Sequence, residues 1–275
     1  MRKRVICIFA MTLLTIGLLF LFSCNKENTT SACIDILKIG KADCIVINTG
    51  TKIVMIDTGE EENFDDISFY MSKKGYDKID CLILTHYDKD HIGGADKVIS
   101  AYQVTNVIEN AQSDTSIEYM NYHNNLYSKD QTPLKLNQDY TFTYDSCEFT
   151  INVPKQNRYE IKNDNNSSLV VSMKCGDKRF LFCGDAMELR VDELIQERIG
   201  QYDFVKLPHH GSYLESYEDF LKMTKPTYSV ITDSKKNPAD EQTLNILSEH
   251  NVLVYETRYG TVTITTNGTE ITIKQ

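Results

Sequence analysis

Four ligand-type side chains crowd into six residues of this chain: His86, Asp88, Asp90 and His91, within the run Leu84-Thr85-His86-Tyr87-Asp88-Lys89-Asp90-His91-Ile92-Gly93-Gly94. The run follows an apolar segment, Ile79 to Leu84, that reads as a buried strand. It precedes a helix leading from Gly93-Gly94 through Ala101. A loop at the C-terminal edge of a strand is where an α/β protein places its site. Alternation along extended backbone sends His86, Asp88 and Asp90 to one side, and His91 turns in as the helix starts. Mixed histidine and carboxylate donors suit zinc, manganese or iron. A polar loop holding two histidines is the plain alternative. Against it, the chain has only six histidines, and four lie in this run or in His209-His210.

The rest of the chain supplies strands in groups with helices between them. Short apolar segments at 34–39, 44–48, 52–56, 79–84 and 104–109 read as strands. Helices are predicted over 64–74, stopped by Gly75, and over 117–127. A second half of similar style predicts strands at 140–144, 147–153, 169–174, 179–183, 204–207, 228–232 and 252–257. Its helices are predicted over 187–199, 216–224 and 241–249. Strict alternation around Asn267-Gly268 reads as a closing hairpin. Two packed sheets with helices outside, a four-layer α/β sandwich, accommodate this pattern.

The N-terminus belongs to no core. Arg2, Lys3 and Arg4 precede an almost wholly apolar run from Val5 to Phe22, then Ser23-Cys24 and polar residues. That is the layout of a secretory signal. Leu21-Phe22-Ser23-Cys24 resembles a bacterial lipobox, in which the cysteine receives a diacylglycerol. The expectation is a signal peptide over 1–23, a tether over 24–31 lipidated at Cys24, and one domain over 32–275. The protein would be exported and held by lipid at the extracellular face of the cell membrane. An uncleaved apolar anchor is the alternative, since the run is about 18 residues long. Losing residues 1–23 removes three basic and no acidic residues, leaving 26 basic against 39 acidic. Such a surface disfavours general nucleic-acid binding. The eight cysteines include no CxxC pair, so a zinc ribbon has no support. Cys33, Cys44, Cys81, Cys147, Cys175 and Cys183 read as buried thiols, although export permits disulfides.

The His-Asp run resembles the metallo-β-lactamase superfamily signature HxHxDH, with Asp88 where the second histidine is usual. That replacement is characteristic of the hydrolase domain of ComEC-type competence proteins. The resemblance extends over most of the chain. Ile39-Gly40-Lys41-Ala42-Asp43-Cys44 is similar to the GQGDA-type opening, and Ile56-Asp57-Thr58-Gly59 to the first superfamily motif. Asn165-Asn166-Ser167-Ser168-Leu169-Val170 resembles an Asn-rich segment. Cys183-Gly184-Asp185 resembles the motif of a bridging aspartate, and Lys206-Leu207-Pro208-His209-His210-Gly211-Ser212 the HHGS motif. Tyr259 to Ile264 resembles the closing hairpin.

This resemblance implies a four-layer αββα sandwich of metallo-β-lactamase type and two divalent metal ions, zinc or manganese. His86 and Asp88 would bind the first ion, and Asp90, His91 and His210 the second. Asp185 would bridge both. Asp90, Asp185, His209 and His210 are then the catalytic candidates. Asp43 and Asp57 would support ligands, while Asn166, Ser168 and Ser212 would support the site or hold substrate. Gly184-Asp185 reads equally well as a helix N-cap. His123 and His250 read as ordinary surface residues. Many relatives carry a histidine before the proline at Lys236-Asn237-Pro238; here Asn237 stands there. The implied activity is hydrolysis of a phosphodiester substrate, DNA among the candidates. Hydrolysis of a lactam, lactone or ester is the alternative, as is a non-catalytic metal- or ligand-binding lipoprotein.

One consequence concerns the membrane anchor. Cys24→Ala is expected to abolish incorporation of a labelled fatty acid and to release or mislocalise the protein. Unchanged labelling would remove the lipoprotein reading.

Overall fold

The strand Lys78–Leu84 explains the layering. Cys81 and Ile83 on one face meet the opposite sheet, while Leu82 and Leu84 on the other meet helices. A strand covered on both faces reads as a continuous apolar run rather than an alternating one. The structure is a computed structural model that describes residues 31–156 and 164–275. Cys24 and the signal lie outside the described residues.

Among those residues the chain forms an eight-stranded and a seven-stranded sheet. The first holds β1 (Ala32–Ile36), β2 (Ile45–Asn48), β3 (Ile53–Ile56), β4 (Lys78–Leu84), β5 (Gln103–Asn110) and β6 (Leu134–Leu136) in sequence order. The second holds β7 (Tyr140–Tyr144), β8 (Cys147–Asn152), β9 (Val170–Cys175), β10 (Lys178–Phe182), β11 (Phe204–Lys206), β12 (Tyr228–Ile231) and β13 (Leu253–Glu256). The closing hairpin, β14 (Val262–Thr266) and β15 (Ile271–Lys274), crosses back to pair β14 with β1. In each sheet an antiparallel block adjoins a parallel one, β3 to β6 in the first and β10 to β13 in the second.

Three apolar cores fix four layers. Between the sheets lie Ile34, Ile47, Ile56 and Ile83 against Phe149, Phe180, Phe182 and Phe204. Outside the first sheet pack Ile67 and Met71 of α1 (Phe64–Lys74), with α2 (Lys89–Ile92), α3 (Ala95–Ala101) and α4 (Ile117–Ser128). Outside the second pack Val191 and Leu194 of α5 (Glu188–Glu197), Phe220 and Leu221 of α6 (Tyr217–Thr224), and Leu247 of α7 (Glu241–Glu249). The expected αββα sandwich is therefore observed. Helix α1 ends as expected, with Gly75 in the left-handed region (φ 71°) and its N–H on Met71 O and Ser72 O. No helix among the described residues is long and apolar enough to cross a membrane.

Two features depart from the sequence reading. The three-residue β6 carries too little pattern to be seen in advance. Cys147 and Cys175 are a disulfide rather than free thiols. They stand opposite one another in the β8–β9 register, with Cα atoms 4.3 Å apart. Cys33, Cys44, Cys81 and Cys183 remain free.

At the end of the sandwich away from the parallel strands' C-termini, the β9–β10 turn packs on the β14–β15 turn. Asp177 N–H donates to Gly268 O (2.7 Å). Gly176 lies at φ 63°, and a Cβ there would sit 2.6 Å from the Gly268 backbone. Gly176→Ala is expected to cost about 1–3 kcal/mol through strain and backbone clash. Urea unfolding checks this, and an unmoved midpoint would show that the two turns are not in close contact.

Candidate metal centre

The parallel strands of both sheets end at one place, and their following loops carry the side chains singled out above. This is the crevice outside the carboxyl ends of the strands, where open α/β sheets hold their sites. β3 leads to Asp57, β4 to His86, β10 to Asp185, β11 to His209 and His210, and β12 to Thr232 and Asp233.

The loop after β3 locks the His-Asp run in place. Asp57 sits at φ 58°, a left-handed conformation uncommon for a non-glycine residue. Its buried carboxylate accepts from Thr85 N–H (2.8 Å), Thr85 Oγ1 (2.7 Å) and His91 Nδ1 (2.8 Å). Thr58 N–H donates to His91 O (2.7 Å), and Gly94 N–H to Gly59 O (3.0 Å). A Cβ on Gly94 would lie 2.5 Å from Thr58 O, so only glycine lets the loops approach this closely.

The three buried histidines are held the same way. His91 gives its Nδ1 proton to Asp57. The Thr85 hydroxyl gives its one proton to Asp57, so it accepts from His86 Nδ1 (3.1 Å). His210 Nδ1 donates to Thr232 O (2.8 Å). Each Nε2 is thereby turned inward. His86 Nε2, His91 Nε2, His210 Nε2 and Asp185 Oδ1 are buried with no hydrogen-bond partner. Buried polar atoms are rarely left so, and a ligating histidine typically gives its other nitrogen to a carboxylate or carbonyl. The donors fit a metal.

Their distances define the centre. Asp185 Oδ1 is 3.1 Å from His91 Nε2, and its Oδ2 is 3.1 Å from His210 Nε2. Asp90 Oδ2 lies 3.4 Å from His210 Nε2. Ligand atoms of Asp90, His91, Asp185 and His210 all fall within 4.8 Å of one another. Beside them His86 Nε2 and Asp88 Oδ2 are 3.7 Å apart, and the His86 and His91 rings are 4.1 Å between centroids. Asp88 is the most open of these groups, its side chain 43% exposed. Burial favours the neutral acid at Asp185, but His210 and His91 outweigh it and hold its pKa well below the ordinary range. Burial likewise opposes charge on His91, yet Asp185 and Asp57 raise its pKa well above the ordinary histidine value. Asp90 follows the same pattern: despite burial, His210 and His91 bring it to about 2.

His209 and His210 both occupy the left-handed region, at φ 45° and 53°. Consecutive non-glycine residues there store strain, and both rings bring Nε2 toward Asp185 Oδ2, at 4.0 and 3.1 Å. His210 is buried, whereas the His209 side chain is 22% exposed with Nε2 4.0 Å from Asp185 Oδ2. Burial, opposed by Asp185 and reinforced by His210, Lys41 and Lys206, holds His209 below the ordinary histidine pKa.

The supporting residues divide sharply. Asp43, between β1 and β2, accepts from Thr232 Oγ1 (2.5 Å), stands 3.6 Å from His210 Nδ1 and ion-pairs with Lys206. Ser168 Oγ accepts from Asp185 N–H (3.2 Å), so it positions the carboxylate. Asn166 lies at the start of α5. It is buried, and its Oδ1 caps the first turn of α5 by accepting from Arg190 N–H (3.1 Å). Asp185 does not cap that helix, whose N-cap is Met187. Ser212 lies half-buried at the rim, its N–H on His209 O (2.9 Å). Asn237 is in an exposed turn closed by its own backbone to Ser234. His123 is more than a surface residue: it is half-buried on α4, 3.1 Å from the buried Glu109 carboxylate. His250 pairs with Glu218 (3.1 Å).

Sequence reasoning missed Thr85, Thr232, Arg190 and Lys206. Lys206 is fully buried at the end of β11, with Nζ on Gly184 O (3.1 Å) and 3.8 Å from Asp185 Oδ1. Burial disfavours its charge, but Asp43 and Asp185 raise its pKa above the ordinary lysine value. Its signal was a lysine inside the otherwise apolar run Phe204-Val205-Lys206-Leu207.

Known proteins match this architecture. The chain is 25% identical over 237 residues to Recombination protein 2 of Haemophilus influenzae, and 24% identical over 284 aligned positions to ComE operon protein 3 of Bacillus subtilis. These alignments cover 84% and 89% of this chain but only 28% and 34% of the relatives. In three dimensions it resembles the metallo-β-lactamase fold protein YhfI of Bacillus subtilis, with TM-score 0.58 and 12% identity, over 89% of this chain and 100% of that one. The family model for the metallo-β-lactamase superfamily matches residues 38–231, from the loop before Asp43 through β12. With that match spanning most of the chain and the fold agreeing, the chain belongs to the metallo-β-lactamase superfamily.

Proposed function

We propose that this protein is a metal-dependent hydrolase of phosphodiester bonds, DNA among its candidate substrates, anchored by lipid at Cys24 to the extracellular face of the cell membrane. The observation that carries the reading is the convergence of three buried imidazole nitrogens and one buried carboxylate oxygen that make no hydrogen bond. Two divalent ions, zinc or manganese, suit this donor set. His86 and Asp88 would hold one ion, Asp90, His91 and His210 the other, and Asp185 would join them. When bound, such a pair supplies hydroxide at neutral pH and neutralises charge on a phosphoryl oxygen.

The chain's own residues do the rest. Asp57, Thr85 and Thr232 fix the tautomers of His91, His86 and His210. His210 would have both nitrogens engaged within the centre, which leaves His209 as the imidazole for the leaving oxygen; its lowered pKa makes the protonated, donating form the minor one at neutral pH. Ser212, half-buried beside His209, would hold a substrate oxygen, while the buried Asn166, with Oδ1 on Arg190 N–H, would support the site. Similarity to a protein named Recombination protein 2 supports a nucleic-acid substrate. The excess of acidic residues favours instead a lactam, lactone or ester, while Asp88 in place of the usual histidine weighs against a lactam. The Cys147–Cys175 disulfide supports export, because such bonds persist in oxidising compartments.

Metal analysis of the purified protein after reconstitution with zinc or manganese is expected to approach two ions per chain. A ratio near zero with both would exclude a two-metal enzyme and favour a ligand-binding lipoprotein. Turnover is measured on a bis-nitrophenyl phosphate and on single-stranded DNA, beside a chromogenic lactam. Asp185→Asn is expected to cut phosphodiester turnover at least about a hundredfold, roughly 3 kcal/mol of transition-state stabilisation. Metal-dependent cleavage of the lactam alone, or full turnover in Asp185→Asn, would overturn the assignment.

A further inference from the structure

Two ligand-like clusters share His91. One is Asp90, His91, Asp185 and His210; the other is Asp43, Asp57 and His91, with ligand atoms equally close together. Residue type does not distinguish them, since both are sets of aspartate and histidine, buried but for the partly exposed Asp90. Their partners do. The first cluster holds the orphaned atoms His91 Nε2, His210 Nε2 and Asp185 Oδ1. In the second, Asp57 accepts from Thr85 N–H, Thr85 Oγ1 and His91 Nδ1, with no ammonium among its partners. Asp43 is different: besides the Thr232 hydroxyl, its partner is an ammonium, Lys206 Nζ on Oδ2.

We propose that the Lys206–Asp43 ion pair is a positioning device for the metal centre, a charge lock that keeps Asp43 out of coordination and Lys206 off Asp185. The inference rests on the metal-centre reading above and goes beyond it by naming what selects between the two clusters. Lys206 is the only fully buried lysine among the described residues. It stands where three demands meet: Asp43 Oδ2, Gly184 O at 3.1 Å, and Asp185 Oδ1 at 3.8 Å. It also ties the loop between β1 and β2 of one sheet to β11 of the other. Asp43 in turn backs His210, both directly at 3.6 Å and through Thr232.

The two charges therefore restrain each other. Without the Asp43 charge, the ammonium is left beside Asp185 and competes with an ion for that carboxylate. Without the Lys206 charge, the Asp43 carboxylate is buried unpaired next to His210 and draws the imidazole or an ion toward itself. Removing one partner of a buried pair leaves an uncompensated charge, whereas replacing both by neutral groups is often tolerated. A lock of this kind predicts that the second substitution reverses the loss caused by the first, the coupling that a double-mutant cycle isolates.

The test is zinc affinity by chelator competition on the full chain, for the wild type, Asp43→Asn, Lys206→Met and the double variant. Circular dichroism and thermal unfolding report whether each variant is folded. Each single substitution is expected to weaken zinc binding by about tenfold or more, as for other groups that support metal ligands. The double variant should return to within about threefold of the wild type. Single variants that bind as tightly as the wild type, or a double variant no tighter than Asp43→Asn, would overturn the lock while leaving the metal centre intact. If Lys206→Met does not fold, the comparison of Asp43→Asn with the double variant decides the question alone. A folded wild type that takes up neither zinc nor manganese would sink both readings together.

Discussion

The Asp185 carboxylate, placed between His91 and His210, is the interaction on which the rest of the site depends. Its two oxygens each lie 3.1 Å from an imidazole nitrogen, and the two histidines come from loops on different sheets. His91 is held from behind by Asp57 at the end of β3, and His210 by Thr232 at the end of β12. The C-terminal edges of parallel strands in both sheets must therefore meet in register. The pairings of β3 with β4, and of β10 with β11 and β12, provide that alignment. A slip of one residue in any of them would turn a site residue to the opposite face.

Holding the site in this form strains the backbone. Asp57, His209 and His210 all lie at positive φ without being glycine, at a cost of order 1–3 kcal/mol each. Such conformations persist only where the surroundings over-determine them. Here Asp57 is fixed by three hydrogen bonds, and the His209–His210 turn by Pro208 before it and Gly211 after it. Three separate apolar cores supply the stability that offsets this strain together with the burial of several charges.

Much of this was legible in the residues themselves. The buried strand Lys78–Leu84, the turn to Gly93-Gly94 and helices α1 and α7 follow from apolar periodicity and capping, which are local properties. The ligand-rich run was legible for the same reason, since its members are neighbours in sequence. What escaped depends on distance in the fold. Lys206 and Asp43 are far apart in the chain, and nothing local to either marks an ion pair. The Cys147–Cys175 bond depends on the β8–β9 register, which spacing alone does not determine. For Asn166 the sequence left open whether it supports the site or holds substrate; its place at the start of α5 is a matter of tertiary packing. His123 looked like a surface group because the carboxylate that holds it, Glu109, comes from β5 rather than from its own helix.

The roles of the aspartates carry the argument furthest. Asp43, Asp57 and Asp185 are all buried, all near histidines and all at the ends of strands or in the loops beside them. Composition gives no reason for one to face a metal and another to stand behind it. The difference lies in which donors reach each carboxylate. Thr85 supplies two hydrogen bonds to Asp57 and His91 a third, leaving it committed. Lys206 and Thr232 commit Asp43. The amide of Asp185 donates to Ser168 Oγ, which orients the residue, while its carboxylate faces His91 and His210 at 3.1 Å, with Lys206 and His209 farther off, and Oδ1 is left without a hydrogen bond. A buried polar atom left unmatched is costly, and Asp185 Oδ1 is left so while Asp57 and Asp43 take up the donors beside it. Which aspartate keeps an oxygen free of hydrogen bonds is decided here by the donors that its neighbours have already claimed.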